Sequence, residues 1–268
     1  MGFDLGPALL FCPGDRPERF SKAAERSDAV ILDLEDAVGP EAKPAARAHV
    51  LASDLDPERV IVRVNAPGSA EFDDDVAMLA QSPFRTVMVA KTEEPAPLDV
   101  FDDSFSLIAL CETARGVSAA DRVAAHERVV ALMWGAEDLV ASLGGSSSRY
   151  PDGRYRDAAR YARARVLIEA GAHGRAAVDA VHIDIDDLDG LSVEAADAAA
   201  SGFRATACIH PAQVSTIRAA YAPDPDRLAW ARDVLTAARS ERGVFRFQGR
   251  MIDEPLLRHA RSIVARGD

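Results

Sequence analysis

Cysteine is scarce and unpatterned: Cys12, Cys111 and Cys208 are an odd number with no CxxC spacing. Each lies inside or at the end of an apolar run, where a reduced thiol packs as a small hydrophobe, so no disulfide framework is expected. Long apolar runs are missing too. Nothing approaches the roughly 20 residues of a membrane-spanning helix, and Ala119–Ala125 and Ala195–Ala200 read only as Ala-rich helix segments. The stretch Met1–Pro13 has neither a basic region nor a cleavage pattern, so no secretory leader is expected, and the reading is a cytoplasmic, disulfide-free protein. Positive charge is in deficit: 31 Lys and Arg against 43 Asp and Glu give a net charge of −12. Such a surface repels phosphate backbones and speaks against general nucleic-acid binding. Nucleotide signatures are absent, with no GxxxxGK[ST] and no GxGxxG. Gly144-Gly145-Ser146-Ser147-Ser148 lacks the closing glycine of a nucleophile elbow, and His126-Glu127 begins a zincin pattern that Val130 breaks.

What is present is a chain of 268 residues, 48% of them hydrophobic, ample for a buried core. Eight short apolar runs recur: Ala8–Cys12, Ala29–Leu32, Val60–Val64, Thr86–Ala90, Leu107–Cys111, Val129–Trp134, Ala177–His182 and Thr206–Ile209. They are mostly continuous rather than alternating, as strands covered on both faces are. Helical patterns lie between them. Asp15 is expected to cap a helix with Pro17 in its first turn. Phe72–Ala80, Thr113–Ala125, Arg156–Ala170 and Val193–Ala200 fit further crossovers, with Gly171 and Gly202 at C-terminal caps. Strand–helix repetition leaves an open doubly wound sheet or a closed barrel, and eight strands before residue 210 favour the second. The expected fold is α/β, a (β/α)8 TIM barrel with a C-terminal helical extension. The barrel is expected over 1–222 and the extension over 223–268. That extension carries an amphipathic helix at Asp226–Arg239, a short stretch Val244–Gln248 and a last helix within Glu254–Ala265; it reads as a packing arm or a lid.

In such a barrel the C-terminal strand ends share one rim, where active sites are built. Polar residues fall just there. The second run ends in Asp33-Leu34-Glu35-Asp36, the third carries Arg63 and Asn65, the fourth Lys91 and the fifth Glu112. Glu137 and Asp138 follow the sixth, Asp184 and Asp186 the seventh, His210 the eighth. Asp33, Glu35, Asp36, Glu112, Glu137 and Asp138 are expected to crowd together, and unpaired buried carboxylates raise each other's pKa. A hard divalent cation relieves the repulsion; Mg2+ takes one or two carboxylates plus waters and substrate oxygens. Glu112 and Asp138, at the ends of adjacent strands five and six, are placed to share one. Neutralisation by Arg63, Lys91 and Arg115 is the other reading. His182 and His210 read as core or supporting histidines.

Leu10-Phe11-Cys12-Pro13-Gly14-Asp15-Arg16-Pro17-Glu18-Arg19-Phe20 and Asp33-Leu34-Glu35-Asp36-Ala37-Val38 resemble the opening of citrate lyase β-subunit-like proteins of the HpcH/HpaI aldolase family. Arg63-Val64-Asn65, Glu112-Thr113-Ala114-Arg115-Gly116, Gly135-Ala136-Glu137-Asp138-Leu139 and Cys208-Ile209-His210-Pro211 continue in family order, up to Gly249-Arg250-Met251-Ile252-Asp253. The resemblance covers nearly the whole chain. It implies a TIM barrel, commonly a homotrimer, that cleaves or forms β-hydroxyacyl thioesters with Mg2+. By the same resemblance, Glu112 and Asp138 match the metal ligands, with Glu112 also at the substrate, and Arg63 matches the arginine on the substrate's oxygens. The amides of Gly135 and Ala136 match the segment receiving its carboxylate. Asp253 matches the acid/base of related citramalyl-CoA lyases, supplied across a subunit interface; read from its position alone it is the N-cap of the last helix. Glu35 and Asp36 are counted with the catalytic group, and Asp33 or Glu35 is expected to orient Arg63 or a metal-bound water. The thioester handle calls for phosphate contacts, for which Arg16, Arg19, Lys22, Lys43 and Arg47 are candidates, a solvated charged face being the other reading.

The implied activity is that of a carbon–carbon lyase. It would cleave or form citramalyl-CoA or malyl-CoA-type thioesters, giving acetyl-CoA and an α-keto acid such as pyruvate or glyoxylate. A malyl-CoA thioesterase, a citrate lyase β subunit acting on a carrier-bound citryl group, and a non-catalytic partner protein remain open. Gly144–Arg149 and Tyr150–Arg156 resemble stand-alone homologues, which favours free acyl-CoA substrates.

Overall fold

A computed structural model describes residues 3–241 and 243–267. The aliphatic runs form eight parallel strands: β1 Ala8–Pro13, β2 Ala29–Asp33, β3 Val60–Val64, β4 Thr86–Val89, β5 Ser106–Cys111, β6 Val129–Trp134, β7 Ala176–Asp179 and β8 Ala205–Cys208. They pair in chain order and close, with Ala8 of β1 opposite Thr206 and Leu10 opposite Cys208 of β8. The expected barrel is therefore present. Its interior is filled by Leu9, Ile31, Ile61, Met88, Ile108, Leu110, Met133 and Val178. Alternate residues of a strand share a face, so Asp33 and Arg63 rise from the column of Ile31 and Ile61, and Glu112 from that of Leu110. The three thiols are buried, and burial pushes Cys12 up to about 11 and Cys111 and Cys208 to about 12.

The covering helices are α1 Phe20–Arg26, α2 Lys43–Leu51, α3 Phe72–Leu79, α4 Ala114–Ala124, α5 Ala136–Ser142, α6 Asp157–Ala172, α7 Leu188–Ser201 and α8 Pro211–Tyr221. Between β4 and β5 the chain makes only a 3-10 turn, Ala96–Val100. Asp15 does not cap α1: a 3-10 turn at Pro17–Arg19 precedes that helix, and Arg16 stands at its start without a side-chain cap. Thr113 caps α4 by accepting from the Gly116 amide at 3.0 Å. Helix α7 begins ahead of Val193 because Asp187 accepts from the Gly190 amide at 2.8 Å. Gly202 ends α7 with φ +112°, whereas Gly171 lies inside α6. Strand β7 stops at Asp179, short of His182, and the Asp179 carboxylate accepts from Trp134 and Arg163.

The chain divides into two compact units, Met1–Ala220 and Tyr221–Asp268. The second consists of α9 Pro225–Ala237, a hairpin of β9 Phe245–Phe247 and β10 Arg250–Ile252, and α10 Glu254–Gly267. Ala231, Val234, Ile252, Ala260 and Ile263 form its own core. The stretch read from Val244 to Gln248 is thus half of a hairpin. Among the described residues no helix is long and apolar enough to cross a membrane.

The ends of β2 and β3 are fixed by a buried polar cluster. Lys43 donates to the carbonyls of Leu34 (2.8 Å) and Glu35 (3.0 Å) and to Asn65 Oδ1 (2.7 Å). Asn65 donates in turn to Leu34 O at 2.9 Å and Asp75 Oδ2 at 2.7 Å. Arg47 is held by Glu71, Asp75 and Asp74 at 2.7, 3.0 and 3.2 Å. The expectation that Lys43 and Arg47 meet a cofactor's phosphates is thereby corrected. The three ammonium protons of Lys43 have three internal acceptors, and Arg47 is engaged by three carboxylates. Lys43→Met is expected to lower the unfolding free energy by about 2–4 kcal/mol, because it leaves buried acceptors unpaired. The exposed Lys22→Met should stay within about 0.5 kcal/mol of wild type; urea denaturation of both variants checks this.

Candidate active site

Arg63 and Asp33 are register partners on adjacent strands. The guanidinium donates from Nε and Nη2 to the two Asp33 oxygens, 2.6 Å each, and its Nη1 lies 3.1 Å from Glu35 Oε2. Phe11 packs its ring 4.8 Å from the guanidinium carbon. Burial opposes the charge on Arg63, but the facing Asp33 more than offsets it and holds the group firmly protonated. Asp33 is fully occupied, since it also accepts from the amides of Glu35 (2.9 Å) and Ala37 (3.1 Å). A bidentate pair of this kind fixes the plane of the guanidinium as well as its position.

The other half of the mouth is acidic. Glu112, at the end of β5, is buried; burial first, then the nearby Asp138 charge, pushes its carboxyl up to about 8. Asp138 sits in the first turn of α5. Gly135, just before α5, lets the chain pass against Glu112, because a Cβ there would come within 2.7 Å of Glu112 Oε2. The amides of α5 begin at Ala136, where no preceding helical turn supplies carbonyls. Lys91 joins the halves. Its amide donates to Glu112 Oε1 at 3.1 Å, and its ammonium contacts Glu35, Asp36 Oδ2 at 2.9 Å and Asp138 Oδ1 at 3.4 Å. The backbone of Lys91 is left-handed, φ +47°, a strain of about 1–3 kcal/mol for a residue other than glycine. Burial raises Glu35 against the opposing pull of Arg63 and Lys91. For Asp36, partial burial is outweighed by the Lys91 hydrogen bond, which lowers its pKa.

Glu112 and Asp138 are two hard oxygen donors whose mutual repulsion calls for a cation. Among the described residues no group of three His, Cys, Asp or Glu side chains forms a cage for one. Two carboxylates, completed by waters and ligand oxygens, suit Mg2+ and not a structural zinc site. Other expected members lie elsewhere. Glu137 does not join the cluster, because its carboxylate accepts from Ser148 Oγ at 2.5 Å. Arg115 is exposed and faces Glu93 at 3.6 Å, so it does not neutralise the mouth. Arg16 is exposed beside Asp15. Asp184 and Asp186 are exposed, and His210 Nδ1 accepts from the Ala212 amide at 3.2 Å. Asp253 belongs to the second unit, where it caps α10 by accepting from the Leu256 amide at 3.1 Å.

One cluster was not anticipated. Arg149 pairs with Glu194 and stacks 3.8 Å from the Tyr155 ring, and Glu194 also holds His182 Nδ1 at 2.8 Å. With Asp179 and Arg163 these residues line a cavity of about 1450 Å³ against α6 and α7. Arg149, Tyr155 and His182 lie in stretches singled out above, but nothing in the sequence joined them to Glu194.

Residues 8–211 match the family described as HpcH/HpaI aldolase/citrate lyase. A citrate lyase subunit beta-like protein of Mycobacterium tuberculosis is 54% identical over 267 residues, covering 97% of this chain and 95% of that one. A crystal structure of the protein CitE from Mycobacterium tuberculosis, in complex with magnesium, acetoacetate and coenzyme A, matches with a TM-score of 0.91 at 53% identity, covering 97% of each chain. The mitochondrial citramalyl-CoA lyase of Homo sapiens is 32% identical over 290 residues, covering 96% of this chain and 84% of that one.

The raised Glu112 carboxyl gives a pH test. The folded protein binds its proton more tightly than the unfolded chain, so from about pH 5 to pH 8 the folded state carries the extra proton and stability falls as pH rises. Urea denaturation in chelator is expected to show a decline of a few kcal/mol over that window. Glu112→Gln should remove most of the slope; an unchanged slope would place the titrating group elsewhere.

Proposed function

The chain belongs to the HpcH/HpaI aldolase/citrate lyase family, and from that premise we propose that it is a Mg2+-dependent carbon–carbon lyase of β-hydroxyacyl-CoA thioesters. Its substrates are of the citramalyl-CoA or malyl-CoA type, divided into acetyl-CoA and an α-keto acid. The observation that carries this reading is the pairing, in one mouth, of the buried Glu112 and the partly exposed Asp138 beside it with an arginine locked by two carboxylates. The relatives' names and ligands support it: one acts on citramalyl-CoA, and another is seen with magnesium, acetoacetate and coenzyme A.

Glu112 and Asp138 would hold Mg2+, which when bound supplies Lewis acidity at a ligand oxygen. Arg63 presents its charge to the oxygen that becomes negative as the C–C bond breaks. Because Asp33 and Glu35 fix the guanidinium beforehand, little reorganisation is needed during reaction. The amides of Gly135, just before α5, and Ala136, its first residue, receive the keto acid's carboxylate. Asp253, supplied by a second copy of the chain in a homotrimer, returns the proton to the acetyl carbon. A positioned carboxylate in that role contributes about 10²–10⁴-fold. Glu35 and Asp36 act on Arg63 and Lys91 rather than on substrate. Arg16, Arg19 and Lys22, all exposed after β1, are the basic residues retained for the CoA phosphates.

A mass-resolved product assay on citramalyl-CoA and malyl-CoA, with Mg2+ and with chelator, tests the reaction. Acetyl-CoA plus keto acid, lost on chelation and in Asp138→Ala, is the expected result. Free CoA with an intact hydroxy acid would make the protein a thioesterase instead. Asp253→Asn is expected to retain keto-acid binding by calorimetry while turnover falls at least about 100-fold. Full turnover would remove Asp253 from the chemistry.

A further inference from the structure

Lys91 is one of only three lysines in a chain with 28 arginines. An ammonium is a compact charge whose three rotatable donors several acids can share. At Lys91 three do: Glu35 and Asp36 from the end of β2, and Asp138 from the start of α5. The amide of the same residue reaches Glu112, and the left-handed φ of +47° is what the chain adopts there. One residue thus touches both members of the acidic couple and two of the three acids on the Arg63 side, Glu35 and Asp36.

The mouth holds five carboxylates, Asp33, Glu35, Asp36, Glu112 and Asp138, against two cations, Arg63 and Lys91. Arg63 is committed to Asp33 and Glu35. The Lys91 ammonium is therefore the protein cation that faces Asp138, on the same side as any divalent ion held by the couple.

We propose that Lys91 is a positioning residue that tempers divalent-cation binding at Glu112 and Asp138 while tying Glu35 and Asp36 to that side of the mouth. The inference rests on the reading that these two carboxylates hold Mg2+. Its diagnostic is a sign. A lysine that merely supported the fold would, when removed, loosen the ligands and weaken metal binding. A lysine whose charge opposes the metal would, when removed, strengthen it.

The experiment is calorimetric titration with Mg2+ at one fixed pH on wild type, Lys91→Met and Lys91→Arg. Lys91→Met is expected to bind Mg2+ about five- to tenfold more tightly, while its turnover falls at least about tenfold because Glu35 loses its tether. Lys91→Arg, which keeps the charge, should hold its Mg2+ affinity within about twofold of wild type. Lys91→Gly suits the left-handed backbone and keeps the amide to Glu112, so it should tighten Mg2+ binding as Lys91→Met does even where the methionine variant folds poorly. Unchanged or weaker binding in both charge-free variants overturns the inference. Absence of Mg2+ binding in the wild type overturns instead the metal reading beneath it.

Discussion

A guanidinium buried at the end of a barrel strand is tolerable only if its charge is met in place, and the Asp33–Arg63 pair meets it. Removing one partner of such a pair leaves an uncompensated charge and costs about 3–5 kcal/mol, so the two residues stand or fall together. Their partnership follows from the parallel register of β2 and β3, which sets them side by side. Around it the structure is built to keep that register true: Lys43 and Asn65 close the strand ends through the Leu34 and Glu35 carbonyls, and Phe11 covers the flat of the guanidinium. The cluster read at first as a cofactor's landing place is the foundation of the arginine.

On the opposite side of the mouth the design is reversed. Asp33 has all its neighbours, whereas Glu112 has a burial that discourages its charge and a carboxylate neighbour that discourages it further. Gly135 brings the chain into contact with it and Lys91 adopts a strained backbone to donate to it. A fold that spends conformational strain to gather like charges is one whose stability and chemistry are linked through whatever neutralises them.

The barrel was legible because most of the strands are continuous aliphatic runs closed by polar residues, eight times over, the pattern of strands covered on both faces. The same punctuation located Asp33, Arg63 and Glu112, since the period of two along a strand carries the core column up to the rim, and Asp138, which follows the sixth run in the first turn of α5. What was illegible depended on partners distant in sequence. Lys43 and Arg47 look like an exposed basic face until Asn65 and Asp75 are brought beneath them by β3 and α3. Asp15 carries a cap residue's chemistry, yet Pro17 turns the chain into a 3-10 segment first. Glu137 adjoins Asp138 in sequence, but the helical turn sends the two side chains apart, one to Ser148 and the other to Lys91.

The near-absence of lysine has a chemical consequence. A thioester donates its acyl group to any free amine, and an amine must shed its proton to accept it. Lys43 is sealed behind three acceptors, and Lys22 lies out on the surface of α1. At Lys91, partial burial is outweighed by the hydrogen bonds to Glu35 and Asp36, which hold the ammonium charged. A mouth furnished in this way can handle activated acyl groups without becoming acylated by them: its cations are guanidinium, or an amine kept from acting as a nucleophile by the carboxylates around it.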